Sequence, residues 1–432
     1  MPRTRFGVIV ALLWVRLLLR LRGLGYVARQ AKDVPTGDLT RVDVCWSASC
    51  TLNYADALTG ALFQARHLLL ALRAGERLRV TRALAIEAGF AGAVGPSAWP
   101  RVVRTLALAR EAASGCTGPY AGAIVSACEG IALVMNFRFA DAVPRLESAI
   151  ATFRDHCPGS DWEAATARQF LFFAQFFTSR FRELLDAQEI ALKDAVERGD
   201  RYAMVMIRVG MPNRNWLVFG DPVPARRELD AGLRDWPSQP FQIMHFYALV
   251  ADSYIALYQG DHERAAERIR ATRRDVRRSM LLTLMGPRLD YASICGHVAL
   301  ARAAAEVRVG KKPDLREVDR CIRVFGRPTS AVIASGVLSM RASRAILAGD
   351  RERALALLDE LARLDSEDTW LIANCARWIR GAMRGGPEGE ASAREAVDEL
   401  DGRGVRVGIP VIATQLPGFE PYVSEGSAAP SP

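Results

Sequence analysis

Residues 255–269 read "IALYQGDHERAAERI", and a closely similar string, "AILAGDRERALALLDEL", returns at residues 345–361. Each string has an apolar segment, then Gly-Asp, then a second helix-like segment with an alanine four residues after the aspartate. A shorter third copy, "GDPVPA", stands at residues 220–225. The shared positions are Gly220, Asp221, Ala225, Gly260, Asp261, Ala265, Gly349, Asp350 and Ala354.

These shared residues predict a joint between two helices. Glycine adopts the left-handed conformation that ends one helix. Aspartate caps the next helix by accepting hydrogen bonds from its free N–H groups. The acids Glu263 and Glu352, in the first turn of the second helix, suit its dipole. The small alanine lets the two helices approach closely, so we expect a helical hairpin at each copy.

Weaker joints are indicated by "NFRFADA" at 136–142, "TSRFREL" at 178–184 and "VGKKPDL" at 309–315, and an earlier one by Gly75-Glu76. Taking positions 137, 179, 220, 260, 310 and 349, the successive separations are 42, 41, 40, 50 and 39. A period of about 40 residues is typical of helical-hairpin arrays. The fold class expected is all-α, an α-solenoid in which each hairpin buries its apolar face against neighbours.

The domain organisation expected from the pattern has four parts. An amphipathic helix and linker occupy 1–40, and the helical repeats occupy 41–384. A capping helix and an irregular end occupy 385–422. A disordered tail follows at 423–432, because "SEGSAAPSP" has nothing to bury.

The composition is typical of a globular protein with more basic than acidic residues. Half of the residues are apolar and the net charge is +9. Basic surfaces favour nucleic acids, but the arginines are spread along helices and often stand beside acids, so nucleic-acid binding is not expected. The eight cysteines form no C-x-x-C pair or regular framework, which favours a reduced, cytoplasmic location.

The N-terminal stretch is the one segment with membrane character. Its uninterrupted apolar run, residues 6–15, is too short to span a bilayer, and Arg16, Arg20 and Arg22 follow it. No small-residue cleavage site follows, as a removable signal peptide would need. An arginine-studded amphipathic helix remains, which either packs on protein, the interpretation we favour, or lies on a membrane surface through residues 3–29.

The joint pattern resembles the tetratricopeptide repeat, although the period exceeds that repeat's usual 34 residues. Four further stretches, "RVDVCW" at 41–46, "FQARHLLLALRAGE" at 63–76, "GMPNRNWL" at 210–217 and "HFYALVADSYIALYQGD" at 245–261, resemble the C-terminal helical region of large multidomain bacterial serine/threonine protein kinases. In such proteins a kinase domain and a predicted ATPase module precede the repeats. The resemblance therefore implies a regulatory or scaffolding role in kinase signalling.

The catalytic motifs of those kinases are missing from the sequence. There is no kinase glycine loop, H-R-D or D-F-G triplet, and no phosphate-binding G-x-x-x-x-G-K-[ST] loop. His156 and Cys157 are the one His/Cys neighbour pair, and adjacent side chains point apart on a helix, so no metal site is predicted. We expect no enzymatic activity and no cofactor.

One stretch, "IRVGMPNRNWLVFGD" at 207–221, suggests a partner site. Pro212 should break the helix. In one interpretation the asparagines that follow satisfy carbonyls freed by the proline, and Trp216 packs in the core. In the other, the kink directs side chains into a groove that holds a peptide. The candidate partner-binding residues are Arg208, Asn213, Arg214, Asn215, Trp216 and His245.

The function expected from the sequence is therefore a non-catalytic protein–protein interaction module. Its partner would be a protein or peptide, such as a kinase or ATPase component. The alternatives are a membrane-surface adaptor anchored by residues 3–29 and a fragment of a larger kinase. The oligomeric state is not indicated by the sequence.

Overall fold

The computed structural model describes residues 4–234 and 236–423, apart from the side chains of residues 53–55. Within these ranges the chain is all-helical, as predicted: 21 α-helices and five short 3₁₀ segments, with no β-sheet. A single backbone bridge joins Arg29 to Glu76. The predicted tail at 423–432 lies, apart from Val423, outside the described residues.

The chain divides into two compact units, residues 1–171 and 172–432. Unit 1 contains α1 (Arg5–Arg22), α2 (Thr36–Ala55), α3 (Ala57–Ala74), α4 (Arg77–Gly92), α5 (Trp99–Ser114), α6 (Tyr120–Met135), α7 (Phe139–His156) and most of α8 (Asp161–Phe177). Unit 2 contains α9 (Phe181–Glu197), α10 (Arg201–Val209), α11 (Met211–Val218), α12 (Pro222–Leu233), α13 (Ile243–Tyr258), α14 (His262–Arg278), α15 (Met285–Arg308), α16 (Arg316–Phe325), α17 (Ala331–Leu347), α18 (Arg351–Ala362), α19 (Trp370–Arg384), α20 (Gly386–Gly402) and α21 (Ile409–Gln415).

Every position chosen as a joint lies between two helices and is left-handed. The φ angles are positive at Phe137, Ser179, Gly220, Gly260, Gly310 and Gly349. At all six, the N–H of the next residue donates to the carbonyl five residues earlier, as Asp261 does to Ala256 at 2.8 Å. This bond satisfies a carbonyl that the ending helix would otherwise leave free. At each of the six joint positions the left-handed residue therefore ends one helix.

The aspartates of the three strongest copies cap the following helices. The carboxylate of Asp221 accepts from the N–H of Val223 at 3.2 Å, that of Asp261 from Arg264 at 3.1 Å, and that of Asp350 from Arg353 at 3.0 Å. The shared alanines are buried, with exposed fractions of 1% or less. They are Ala225, Ala265 and Ala354.

Consecutive helices pack as hairpins across these joints. The pairs α13 with α14, α15 with α16, and α17 with α18 are in contact, as are α6 with α7 in unit 1. Small residues bring the helices close: a Cβ atom on Gly296 of α15 would stand 2.6 Å from the sulfur of Met340 on α17. The arrangement in adjacent helical pairs follows the sequence pattern, whereas the solenoid and its period remain predictions.

The N-terminal helix α1 packs against α3. Its inner face buries Val8, Val15 and Leu19. The Arg16 guanidinium pairs with the buried Glu87 carboxylate, and Arg22 donates to the Leu72 carbonyl at 2.9 Å. One face of the helix therefore packs on protein, as the favoured interpretation of the sequence expected.

The end of the chain is more ordered than the sequence pattern indicated. The predicted capping helix is α20, but the following residues form α21 and then pack inward, with Leu416 and Phe419 fully buried. Helix α21 contacts α13, α15 and α19. The N–H of Arg406 donates to the Val218 carbonyl at the end of α11, at 2.7 Å. Residues 404–423 thus join the first helices of unit 2 to the last.

Candidate functional site

The structure shows why the predicted partner stretch at 207–221 is irregular. The helix breaks at Gly210, so that α10 and α11 are separate, and Pro212 takes an early position in α11. Proline has no N–H, so it donates nothing to the Arg208 carbonyl. The Asn213 side chain donates to that carbonyl at 2.8 Å and to the Ala225 carbonyl at 2.8 Å.

Asn213 and Asn215 are both fully buried. The Asn215 side chain donates to the Phe181 carbonyl at 2.9 Å, which ties α11 to α9. Neither amide reaches solvent, so the prediction that these two residues contact a partner directly is wrong. The proline-compensating interpretation explains them.

The other candidates of this stretch are also engaged within unit 2. Arg208 of α10 forms an ion pair with Glu228 of α12, with 3.2 Å between nitrogen and oxygen. Trp216 is half-buried against the core around α13. Their contacts hold helices together.

Arg214 and His245 complete the predicted set. The Arg214 guanidinium lies 4.0 Å from the centre of the Tyr254 ring and 4.9 Å from that of Phe176. His245 accepts from the N–H of Gln242 at 3.0 Å, in a reciprocal cap at the start of α13. Burial lowers the pKa of His245, which favours the neutral imidazole that this cap needs. Both residues therefore have structural roles.

The surface on which a peptide was expected is covered by the chain itself. Val405, Val411 and Gln415 of the C-terminal segment line, with Arg214 and Tyr254, a small void of about 20 Å³. The C-terminal segment therefore fills the space beside Arg214 and Tyr254 in unit 2.

An open groove lies instead between α14, α15 and α16, with a volume of about 660 Å³. We name it the arginine groove. Helix α15 forms its floor, and α14 and α16 form its walls. It is lined by Ala266, Ile269, Arg270, Arg273, Arg277, Leu282, Arg288, Tyr291, Ala292, Cys295, Val298, Ala299, Arg302, Ala303, Glu306, Asp314, Glu317, Arg320, Cys321 and Val324.

Helix periodicity explains why these residues share the groove. Arg270, Arg273 and Arg277 follow an i, i+3, i+7 spacing, which puts them on one face of α14. On α15 the lining runs from Arg288 to Glu306 at the same kind of spacing. At 1.5 Å per residue this floor is about 27 Å long, room for about eight residues of an extended peptide.

The acidic residues of the groove already have partners. Glu317 pairs with Arg320 at 2.6 Å, and Asp314 pairs with Arg316 at 2.7 Å. Glu306 accepts from the N–H of Asp314 at 2.9 Å.

Among the described residues, four arginines of the groove have no carboxylate partner: Arg270, whose guanidinium donates to the Ala266 carbonyl at 3.4 Å, and three others. Over residues 4–234 and 236–423, no carboxylate comes within ion-pairing distance of Arg273, Arg277 or Arg288. All three are exposed. The groove therefore has a surplus of positive charge above its floor.

The floor of the groove is apolar, with Val298 and Ala292 buried. Burial raises the pKa of the Cys295 thiol to about 12, against the lowering effects of a hydrogen bond with Tyr291 and of the Arg273 charge. Burial likewise raises the pKa of Cys321 to about 12. Both thiols are protonated at neutral pH, so they behave as small apolar groups rather than as nucleophiles.

The sequence reasoning missed this groove, although two signals for it were present. The separation of joint positions 260 and 310 is 50, against 39 to 42 elsewhere. The extra residues form the turn at 279–284 and lengthen α15 to 24 residues. The second signal is α14 itself, "HERAAERIRATRRDVRR", whose arginines outnumber its acids.

A second polar cluster lies inside unit 1. The buried His67 ring faces the Gln64 amide, with 3.2 Å between Nδ1 and Oε1, and burial lowers the pKa of His67 to about 3. Arg82 pairs with Asp43 at 2.6 Å and lies 4.8 Å from the centre of the Trp46 ring. The Arg82 contacts tie α2 to α4, and the Gln64 side chain donates to the Ala83 carbonyl at 3.1 Å, which ties α3 to α4.

The described residues contain neither a metal-binding cluster nor a membrane-spanning helix. No group of three or more His, Cys, Asp or Glu side chains there could hold a metal ion. None of the helices within residues 4–423 has the length and apolar character needed to cross a membrane.

The chain matches no protein-family model, no curated protein and no solved structure. The resemblance to the helical regions of bacterial kinases therefore stays a prediction from the sequence.

Proposed function

We propose that this chain is a non-catalytic interaction module that binds an acidic, partly apolar segment of a partner protein in the arginine groove. The observation that carries the proposal is the combination of an apolar floor with exposed arginines, among them Arg273, Arg277 and Arg288, that lack carboxylate partners within the described residues. Carboxylates of the partner would pair with Arg273, Arg277 and Arg288, and its apolar side chains would cover the floor around Val298. Charge gives such a groove its selectivity, and burial of the floor gives it affinity.

The shape of the groove favours an extended peptide. Its walls and floor are helices, so their backbone groups are satisfied and recognition falls to side chains. Because the helical scaffold is formed before binding, little ordering on its side opposes association.

We also infer that the helical hairpins stack as a solenoid and that the partner belongs to kinase signalling. The solenoid of tetratricopeptide-like hairpins, with a period of about 40 residues, is supported by six joints that share one hydrogen-bond closure. A kinase or ATPase component as partner, in the cytoplasm, is supported by the resemblance of the four stretches between residues 41 and 261.

The experiment is selection of random peptides about ten residues long, displayed on phage, against the full chain. We expect enriched peptides to interleave Asp or Glu with apolar residues. An exposed ion pair contributes up to about 1 kcal/mol, so Arg273→Glu/Arg277→Glu, which also introduces repulsion, should weaken binding at least about tenfold.

The matched control is Arg274→Glu/Arg327→Glu, which makes the same change in charge at exposed residues outside the groove lining. It should bind the selected peptides nearly as the unmodified chain does. Equal weakening by both double variants would show that the net charge, rather than the groove, attracts the peptides. Enrichment of no acidic sequence would reject the proposal.

A further inference from the structure

Helix α1 has two apolar faces, and only one is used by the fold. Val8, Val15 and Leu19 face α3. On the opposite side, Phe6 and Leu21 are 77% and 76% exposed. The full exposed set on α1 is Phe6, Ile9, Val10, Leu13, Trp14, Leu17 and Leu21.

This concentration of exposed apolar side chains is unusual within the molecule. Among the described residues, seven of the 20 exposed large apolar side chains lie on this one helix. The others are scattered over both units, as single exposed apolar residues commonly are. A contiguous exposed apolar face marks a surface that contacts something else.

The spacing turns the exposed residues into a stripe. Phe6, Val10, Leu13, Leu17 and Leu21 recur every three or four residues, so they lie on one side of the helix. Trp14 lies beside this line. From Phe6 to Leu21 the stripe is about 23 Å long, and it lies opposite the face that packs on α3.

The charges around the stripe are of one sign. Residues 1–32 contain six arginines and one lysine, and no aspartate or glutamate. Arg20 is exposed at the edge of the stripe. An apolar helical face flanked by cations matches a bilayer surface with anionic headgroups, where the side chains enter the acyl boundary and the arginines meet phosphates.

The same charges argue against a second copy of the chain as the occupant. Pairing two α1 stripes in either direction would put cations beside cations, because neither helix offers an acid. Helix α1 also lacks the combination of length and apolar character needed to cross a bilayer. An orientation in the plane of the membrane satisfies both observations, and tryptophan is favoured at that depth.

We propose that the outer face of α1 docks this protein onto anionic phospholipid bilayers, with the helix lying in the membrane plane. The inner face stays packed on α3, so docking needs no unfolding of unit 1. This proposal does not depend on the arginine groove, and either can fail alone.

The test is flotation of the full chain with phosphatidylcholine vesicles, with and without about one third phosphatidylserine. We expect flotation with the anionic vesicles only, and its loss in Leu13→Asp/Leu17→Asp. The matched control is Ile190→Asp/Val309→Asp, which changes two apolar side chains on unit 2 that are at least as exposed and should float like the unmodified chain. Because all four side chains are exposed, the melting temperature should not move.

A second variant and a second readout guard against misfolding. Arg20→Glu leaves the stripe intact and should weaken flotation at least threefold, because it removes one basic contact with the anionic surface. Brominated lipid should quench Trp14 fluorescence, and Trp14→Phe should remove that quenching.

Three results would overturn the proposal. The first is failure of the unmodified chain to float with anionic vesicles. If the chain then forms a dimer that Leu13→Asp/Leu17→Asp dissociates, the stripe binds a second copy of the chain instead of a membrane. The second is equal flotation of the stripe variant and its control. The third is equal flotation with neutral vesicles, which would show that the cations play no part.

Discussion

Replacing Asn213 by alanine separates a structural amide from a partner-binding one. Asn213 makes two hydrogen bonds to carbonyls of α10 and α12, each 2.8 Å long, and is fully buried. A typical bond contributes about 1 kcal/mol net, and a carbonyl left without a donor adds a desolvation cost of about 1 kcal/mol. The Arg208 carbonyl would be left so, because Pro212 has no N–H. We therefore expect Asn213→Ala to lower the free energy of unfolding of unit 2 by about 2–3 kcal/mol.

The measurement is urea unfolding of the full chain with linear extrapolation, followed by circular dichroism. The matched control is Gln259→Ala, which removes an exposed amide and should change the free energy of unfolding by less than about 0.5 kcal/mol. A loss for Asn213→Ala as small as that of the control would show that the helix break does not depend on this side chain.

Two further predictions concern the joints and a half-buried acid. Gly349→Ala should lower the free energy of unfolding by about 1 kcal/mol, because φ is +83° at this joint, although the new Cβ would meet nothing within 4 Å. The control Gly122→Ala, inside α6 and equally uncrowded, should raise the free energy of unfolding slightly. Urea unfolding measures both changes, and the reverse order of stability would contradict a left-handed joint at Gly349. Burial raises the pKa of Asp290 to about 6, so the folded state holds its proton longer than the unfolded state and stability should fall as pH rises from about 4 to 6. Asp290→Asn should remove that part of the pH dependence. The free energy of unfolding of both proteins is measured from about pH 4 to 6, and the same pH dependence in both would contradict this prediction.

The joints were predictable from the sequence because their chemistry is local. A left-handed residue, a capping aspartate and a small residue one turn later act within one stretch of chain, so Gly260-Asp261 and Gly349-Asp350 can be recognised without tertiary information. Phe137 and Ser179 take the same left-handed conformation without glycine, and they were found through the regular spacing of the joints along the chain.

The candidate site was harder to predict because burial depends on distant residues. Asn213 and Asn215 have the polarity of a binding surface, yet α9 and α12 cover them. The C-terminal segment fills the space beside α11 and α13, which no local pattern indicated. Whether an arginine lacks a partner, as Arg273 does, likewise depends on which acids the fold brings near it.

Burial of the faces of α1 was likewise not predictable from the sequence alone. The sequence indicated an amphipathic helix and left open whether it packs on protein or lies on a membrane. The structure shows that Val15 packs on protein while Leu13 remains exposed, so both faces are apolar. A pattern with two apolar faces does not tell from the sequence alone which of them is covered.

We propose that the arginine groove is where this protein holds a partner segment, and photo-crosslinking can locate that segment. A selected acidic peptide with a benzophenone side chain is irradiated with the full chain, and the adducts are mapped by mass spectrometry. We expect adducts on α14, α15 and α16, within residues 266–324, that free peptide competes away. Adducts on α11 and α13 beside the C-terminal segment, or adducts spread over both units, would contradict it.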